Sequence, residues 1–185
     1  MKLSILICSL PERSRHFNYL MEVLGPQISD GVELLVDNRD KNIPTGTKRN
    51  ELITKARGEW TVFIDDDDWI DTEYVKRILQ ALESNPDVVT FKGWMTTNGL
   101  HPVDWSIKLG EKYEARTDDD GVTRYYRFPN HLCPMRKSIA QRVKFRDIWQ
   151  GEDYQWAKQI NDMRLLRSEV HIDRKLYHYK FITGK

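Results

Sequence analysis

Trp60-Thr61-Val62-Phe63-Ile64-Asp65-Asp66-Asp67-Asp68-Trp69 is the stretch in which the fold can be read. Five residues that are apolar or β-branched run without a charge and then give way to four carboxylates. A strand with so little polarity is one covered on both faces, as in a parallel sheet under helices. Four carboxylates are costly to bury unless they are offset, so the strand is expected to end at an open edge of that sheet.

The residues on either side repeat the same alternation. Upstream, Leu52, Ile53 and Ala56 mark one face of a helix over Thr47 to Arg57, with Gly58 as its expected stop. Before it, Val32 to Val36 forms an apolar strand closed by Asp37-Asn38. Phe17, Leu20, Met21 and Leu24 recur at helical spacing ahead of Gly25-Pro26, and Leu3 to Ile7 forms a first strand ending at Cys8-Ser9. Downstream, Asp71 is placed to cap a helix with Tyr74, Val75, Ile78, Leu79 and Leu82 inward, and Val88 to Phe91 reads as a fourth strand. Strand, helix, strand in succession predicts an α/β fold with a mostly parallel central sheet flanked by helices. Ligands in such sheets bind beyond the carboxyl ends of the strands, where Ser9 to Arg13, Asp37-Asn38 and Asp65 to Asp68 stand.

Further along, Tyr113 to Ala115 and Thr123 to Phe128 predict a small antiparallel hairpin turning at Asp119-Asp120-Gly121. One helix is expected after Pro134. Another, from Gly151, should turn Trp156, Ala157, Ile160 and Met163 inward. We expect one domain over residues 1–185, with lobes at 1–92 and 93–185.

The 185 residues carry 29 Lys and Arg against 28 Asp and Glu, for a net charge of +1. That balance hides a division. Residues 1–122 hold 15 basic and 22 acidic side chains, and residues 123–185 hold 14 and 6, so an acidic part of −7 precedes a basic part of +8. No apolar run approaches the 18 residues of a membrane span, and the N-terminus has no long apolar core of a secretory signal. The two cysteines, Cys8 and Cys133, are too few for a disulfide framework or a four-thiolate zinc site. A reducing, cytoplasmic setting is the expectation, with both thiols buried rather than reactive.

Four aspartates at a strand end repel one another unless a cation offsets them. A site of hard oxygen donors without His or Cys suits Mn²⁺ or Mg²⁺, held by one or two carboxylates plus substrate phosphates. An acidic run on a solvated surface is the simpler reading, but this run is bracketed by a buried strand and by Trp69-Ile70.

An ordered set of motifs resembles the family 2 glycosyltransferases of the GT-A fold. The set comprises Gly46-x-Lys48-Arg49-Asn50, Ala56-x-Gly58-Glu59, Phe63-Ile64-Asp65-Asp66-Asp67-Asp68-Trp69 and Gly151-Glu152-Asp153-Tyr154-Gln155-Trp156. The likeness covers residues 1–92 well and 129–180 loosely. It implies an enzyme that moves a sugar from a nucleotide diphosphate sugar, a UDP-sugar foremost, to an acceptor hydroxyl with inversion. It also implies donor contacts at Ser9, Leu10, Pro11, Glu12, Arg13, Asp37, Lys48, Arg49, Asp65 and Asp66. Metal ligation would fall to Asp67 and Asp65, with a late histidine, His178. Asp153 would be the general base, with Glu152 beside it. Each residue also has a plainer reading. Asp37 suits a turn, Lys48 and Arg49 a solvated helix face, Glu152 and Asp153 the positive end of a helix dipole, and His178 a packed strand.

The basic part suggests where an acceptor would bind. Arg124, Arg127, Arg136, Lys137, Arg142, Lys144 and Arg146 are interleaved with Tyr125, Tyr126, Phe128 and Phe145. Such a stretch can meet an anionic glycan or stack the bases of a nucleic acid. His131, Arg127 and Trp156 are the individual candidates. A saccharide acceptor ranks first and a hydroxymethylated DNA base second, since compact relatives of this kind occur in bacteriophages. A non-catalytic metal or nucleic-acid binder would account for one charged segment but not for both.

Overall fold

A computed structural model describes residues 1–148 and 150–183. The elements in chain order are β1 (Leu3–Cys8), α1 (Ser14–Leu24), β2 (Val32–Asp37), α2 (Thr45–Lys55), β3 (Trp60–Phe63), β4 (Trp69–Ile70) and α3 (Tyr74–Leu82). Then come β5 (Val88–Thr97), β6 (Leu100–Ile107), β7 (Glu114–Thr117), β8 (Thr123–Arg127), β9 (Met135–Arg136), α4 (Lys137–Ala140), α5 (Glu152–Asp162) and β10 (Glu169–Phe181).

β1 is the axis. It pairs in parallel with β2 from Leu3↔Val32 to Cys8↔Asp37, and with β3 from Leu3↔Trp60 to Leu6↔Phe63. Leu3, Ile5, Leu6 and Ile7 are all fully buried, as a strand covered on both faces requires. Because the three strands run the same way, Ser9, Asp37 and Asp65 emerge at one edge. Short β9 joins this parallel unit to the rest of a mixed sheet, lying antiparallel to β3 and to β5. Beyond it follow β6, β8 and β7, with β7–β8 the expected hairpin. β10 runs parallel along β5 and antiparallel to β4, where His178 faces Trp69.

Several local expectations change. The fourth strand does not stop at Phe91 but runs to Thr97, because β6 and β10 pair with its second half. Gly93 permits this, since a Cβ there would lie 2.1 Å from the Trp105 ring and 2.4 Å from the Tyr177 carbonyl oxygen. Gly58 is not the stop of α2, which ends three residues earlier. A Cβ at Gly58 would lie 2.6 Å from the Ser4 nitrogen, so close approach to β1 is what demands glycine. After Pro134 the chain first pairs as β9, and the helix is a single turn. Met163 is 55% exposed rather than inward, because α5 ends one residue before it. Cys8 and Cys133 are free thiols, each pushed up to about 12 by burial, so neither is poised as a nucleophile. Among the described residues no helix is long and apolar enough to cross a membrane.

At the edge away from the aspartates, Glu33 is a buried anchor between β1 and the end of α2. Ser4 Oγ donates to it at 2.5 Å, the Arg57 guanidinium at 3.0 Å, and the Arg57 backbone N–H as well. Burial alone would raise its pKa, but these donors outweigh it and hold the carboxyl below its ordinary 4.5. Its ionised form therefore adds stability above pH 4.5, lost as pH falls through the lower folded value. Glu33→Gln should lower unfolding stability by about 1–3 kcal/mol at pH 7. That gap should narrow in urea titrations taken below pH 4. A gap independent of pH would contradict the assignment.

Candidate functional site

The four aspartates occupy one tight turn, closed by the Asp68 N–H donating to the Asp65 carbonyl at 3.2 Å. Their side chains diverge. Asp66 turns inward beneath the first loop, accepting from Ser9 Oγ at 2.7 Å and from the Arg13 guanidinium at 3.0 Å. Asp68 turns to β10, accepting from the Tyr177 hydroxyl at 2.8 Å and the Lys180 N–H at 2.7 Å. Both are almost wholly buried, and burial is the main force raising their pKa values. Asp65 is pulled the other way. Burial would raise it, but the His131 hydrogen bond and the charges of His131, Arg49 and Arg13 prevail and keep it well below the usual range. Asp67 lies at the cleft, with Arg13 at 3.6 Å.

The segment Lys48-Arg49-Asn50 on α2 does three separate jobs. Lys48 is buried and donates Nζ to the carbonyls of Ser9 and Arg39, fixing the two loops at the sheet edge. Arg49 is buried between the rings of Phe63 and Phe145, 5.3 and 5.4 Å from its guanidinium carbon. It donates to Asp65 at 3.1 Å and stands 3.7 Å from Glu152. Asn50 brackets the backbone of Phe145, donating to its carbonyl and accepting from its N–H, both at 2.9 Å. None of the three belongs to a solvated face. Gly46 lets α2 start hard against the Arg146 carbonyl, which a Cβ would approach to 2.2 Å.

His131 reaches the site because its own segment runs along β3. The Phe63 N–H donates to the His131 carbonyl at 2.9 Å, and Asn130 turns the chain by accepting from the Leu132 N–H. The imidazole is buried. Its Nε2 is 3.4 Å from Asp65 and its Nδ1 is 3.5 Å from Asp153, which projects from the first turn of α5. Both neighbours are acceptors, so a neutral ring can donate to only one of them at a time.

A cleft of about 610 Å³ opens at the carboxyl ends of β1 and β3; His131 and Asp153 stand behind Asp65 and are not among its lining residues. Ser9, Leu10, Arg13, Lys48, Arg49, Asp65, Asp66, Asp67 and Glu152 all line it, together with Thr45. Pro11 and Glu12 lie in the exposed turn before α1 and do not line it. Asp37 does not line it either. Its carboxylate is gripped by Arg39 through both Nε and Nη2 and lines a separate depression of about 260 Å³.

Three further expectations are corrected. His178 is not at the cleft: Nε2 bonds Thr96 Oγ1 at 2.9 Å and the ring stacks on Trp94 at 4.7 Å. Trp156 is a core residue, stacked on Phe145 at 4.6 Å with its indole N–H donating to the Val143 carbonyl. His131, buried between two carboxylates, offers no surface to an acceptor. The basic stretch is also dispersed. Arg124 is paired with Asp118 and Asp120, Arg136 lies over Trp60 and donates to the Asn85 carbonyl, and Lys137 donates to the Ala56 carbonyl. A larger groove of about 1140 Å³ lies along β6, β8 and β10, where Lys175 is paired with Asp104 and Lys92 with Asp173.

The profile of glycosyl transferase family 2 matches residues 30–174, most of the chain, and takes in Lys48, Arg49, Asp65 to Asp67 and Glu152 of the cleft. The chain belongs to glycosyl transferase family 2. EpsH, a candidate glycosyltransferase of Bacillus subtilis (strain 168), is 41% identical over 59 residues, 29% of this chain and 17% of EpsH. The structure of S. aureus TarS 1-349 in complex with UDP-GlcNAc superimposes with a TM-score of 0.70 at 14% identity, covering 100% of this chain and 60% of that one. TarS 1-349 in complex with UDP gives 0.69 at 15%, covering 97% and 60%. The chain thus spans a small part of EpsH and 60% of these TarS chains, and the TarS likeness establishes a common GT-A fold.

Within the family's fold, sequence reasoning overlooked Tyr177, Tyr179 and Lys180 of β10. Tyr177 accepts from the Asp65 N–H at 3.1 Å while donating to Asp68, so one hydroxyl spans the acidic turn. Tyr179 and Lys180 line the cleft. The available signal was the alternation in Leu176-Tyr-His-Tyr-Lys-Phe181.

Arg49 carries the heaviest electrostatic load, neutralising two buried or half-buried carboxylates. Arg49→Met should cost about 3–5 kcal/mol in urea unfolding, because it leaves buried Glu152 without its cation and takes from Asp65 one that His131 and Arg13 only partly replace. A loss under about 1 kcal/mol would show that the guanidinium is not their counter-charge.

Proposed function

We propose that this chain is a metal-dependent, inverting glycosyltransferase that moves a sugar from a nucleotide diphosphate sugar, a UDP-sugar foremost, to a hydroxyl of a saccharide acceptor. The observation that carries the reading is the convergence of Asp65, His131 and Asp153 at the border of a cleft that Asp65 lines together with Arg13, Lys41, Lys48 and Lys180. Cations on one wall suit a diphosphate, and a carboxylate on the other side suits a proton acceptor. The crystal complexes of TarS with UDP-GlcNAc and UDP add weight to the choice of donor. Residues 1–92 then supply most of the donor side and residues 93–185 most of the acceptor side.

The donor set fits a divalent ion completed by its substrate. Among the described residues no group of three or more His, Cys, Asp or Glu side chains could hold a metal by itself. Mn²⁺ and Mg²⁺ in nucleotide sites need only one or two carboxylates, with phosphate oxygens filling the other positions. Asp67, with Asp65 behind it, would hold such an ion. The chemistry gained is electrostatic relief of the charge gathering on the departing diphosphate.

Asp153, 37% exposed, takes the proton from the acceptor hydroxyl. The freed oxygen forms its bond to the anomeric carbon as the bond from that carbon to the diphosphate oxygen breaks, inverting the configuration. His131 is a positioning residue between this base and Asp65. Its 3.5 Å separation from Asp153 is long for a hydrogen bond, as unliganded sites commonly are before substrate draws them together. The pairing of Arg124, Arg136 and Lys137 with the protein's own acceptors favours a saccharide over a DNA acceptor, which would need those cations exposed.

Incubation with UDP-, GDP- and dTDP-sugars plus Mn²⁺ tests this reading. One donor class should be turned over slowly with water as acceptor, with Asp153→Asn lowering the rate by about 10²–10⁴-fold. Asp67→Ala should remove the metal dependence. No metal-dependent binding or turnover of any donor would overturn the assignment.

A further inference from the structure

We propose that Tyr113, Tyr154 and Arg127 form the acceptor subsite, and that it takes a pyranose bearing an anionic group, either a carboxylate or a phosphate. This inference rests on the transferase reading above. Tyr154 directly follows Asp153 on α5, so the two share a turn of helix and their backbones adjoin, although their side chains leave the helix in different directions. Tyr113 meets Tyr154 edge to face at 5.1 Å, and both rest on buried Phe128, at 5.5 and 6.1 Å. Phe128 is held in the core, so the two tyrosines have a rigid floor. Yet they remain 44% and 39% exposed, unusual for rings already packed into a cluster. Such surfaces bind the apolar face of a sugar ring, with the phenol hydroxyls left for its hydroxyl groups.

Arg127 supplies the charge preference. Its guanidinium lies 4.9 Å over the Tyr113 ring, and among the described residues it pairs with no carboxylate. Its neighbours in the basic stretch, Arg124 and Arg136, both do. Burial raises the pKa of the Tyr113 hydroxyl, with Arg127 opposing and Asp153 adding, so ring, cation and base lie within electrostatic reach. Tyr179, which lines the donor cleft, has its hydroxyl raised by burial and by Asp68 and Asp65, with Arg127 opposing and Asp153 adding, so the cluster lies within electrostatic reach of the cleft. An unpaired, half-buried guanidinium fixed over a ring recognises a planar carboxylate or a phosphate while the sugar stacks beside it.

Isothermal titration calorimetry on the full chain with UDP and Mg²⁺ tests this, using methyl glucuronide, glucose 6-phosphate, methyl glucoside and inorganic phosphate as probes. The first two should bind at least about tenfold more tightly than methyl glucoside, and phosphate alone should bind least. The glucuronide and phosphate sugars separate the two sources of negative charge. Arg127→Gln should erase the preference for both acids, and Tyr113→Ala should weaken every sugar. Tyr154→Leu, which keeps an apolar body, serves should Tyr113→Ala fail to fold. Equal binding of the neutral sugar, a preference that survives Arg127→Gln, or phosphate binding as well as glucose 6-phosphate would each overturn the subsite. So would displacement of the sugars by a hydroxymethylated DNA duplex at the same tyrosines. If no probe sugar binds while UDP-GlcNAc does, the subsite is wrong and the transferase reading stands. If no UDP-sugar binds either, both fall.

Discussion

Repulsion among Asp65, Asp66, Asp67 and Asp68 is the constraint around which the carboxyl edge of the sheet is built. Four carboxylates leave a buried strand in sequence, and in a low-dielectric setting their mutual energy would open the turn. The fold separates them by direction. Asp66 goes down to Ser9 and Arg13, Asp68 goes across to Tyr177 and Lys180, and Asp65 goes back to Arg49 and His131. Each of these contacts also ties a distant part of the chain to the end of β3. The first loop, β10, α2 and the segment before β9 are all held by one turn. What looks from composition like an electrostatic liability acts as the junction of the sheet edge.

On the function proposed above, Asp66 and Asp68 are tied into the fold, and Asp67 at the cleft with Asp65 behind it would hold the metal ion. Asp65 is in turn joined through His131 to Asp153 on α5. Donor and acceptor sides are thereby linked by three side chains in contact rather than by a long path. Arg49 completes the arrangement, because its contact with Glu152 draws the start of α5 toward the donor wall. The division of charge between the two parts of the chain meets here, with an acidic turn on one side and Arg127 on the other.

Much of this was legible in the residues. The parallel unit β1, β2 and β3 follows from apolar runs that leave no solvated face, and the cleft follows from where those runs end. The hairpin was marked by its turn residues. β10 was hidden because its pattern is laced with charge and β6 because Pro102 and Asp104 interrupt its apolar residues, and only pairing with β5 makes them strands. His178 and Trp156 misled for a related reason. A histidine and a tryptophan near a site carry no mark of whether they face it, and here Thr96, Trp94 and Phe145 take them away. Asp37 stood in the expected place, but Arg39, two residues later, closes on it. Local sequence does not reveal which carboxylate a neighbouring arginine will choose. The role of His131 was equally unreadable, since it depends on contacts 66 residues back and 22 forward.

The division of labour within the turn is most directly tested by thermal melts of Asp66→Asn, Asp67→Asn and Asp68→Asn, each with and without UDP and Mn²⁺. Asp66→Asn and Asp68→Asn should lower Tm by several degrees, each losing about 1–3 kcal/mol of buried hydrogen bonding. Asp67→Asn should lose the rise in Tm that UDP and Mn²⁺ bring to the wild type, whereas the other two variants should keep it. If Asp67→Asn keeps the full ligand-induced rise, the turn is not divided in this way.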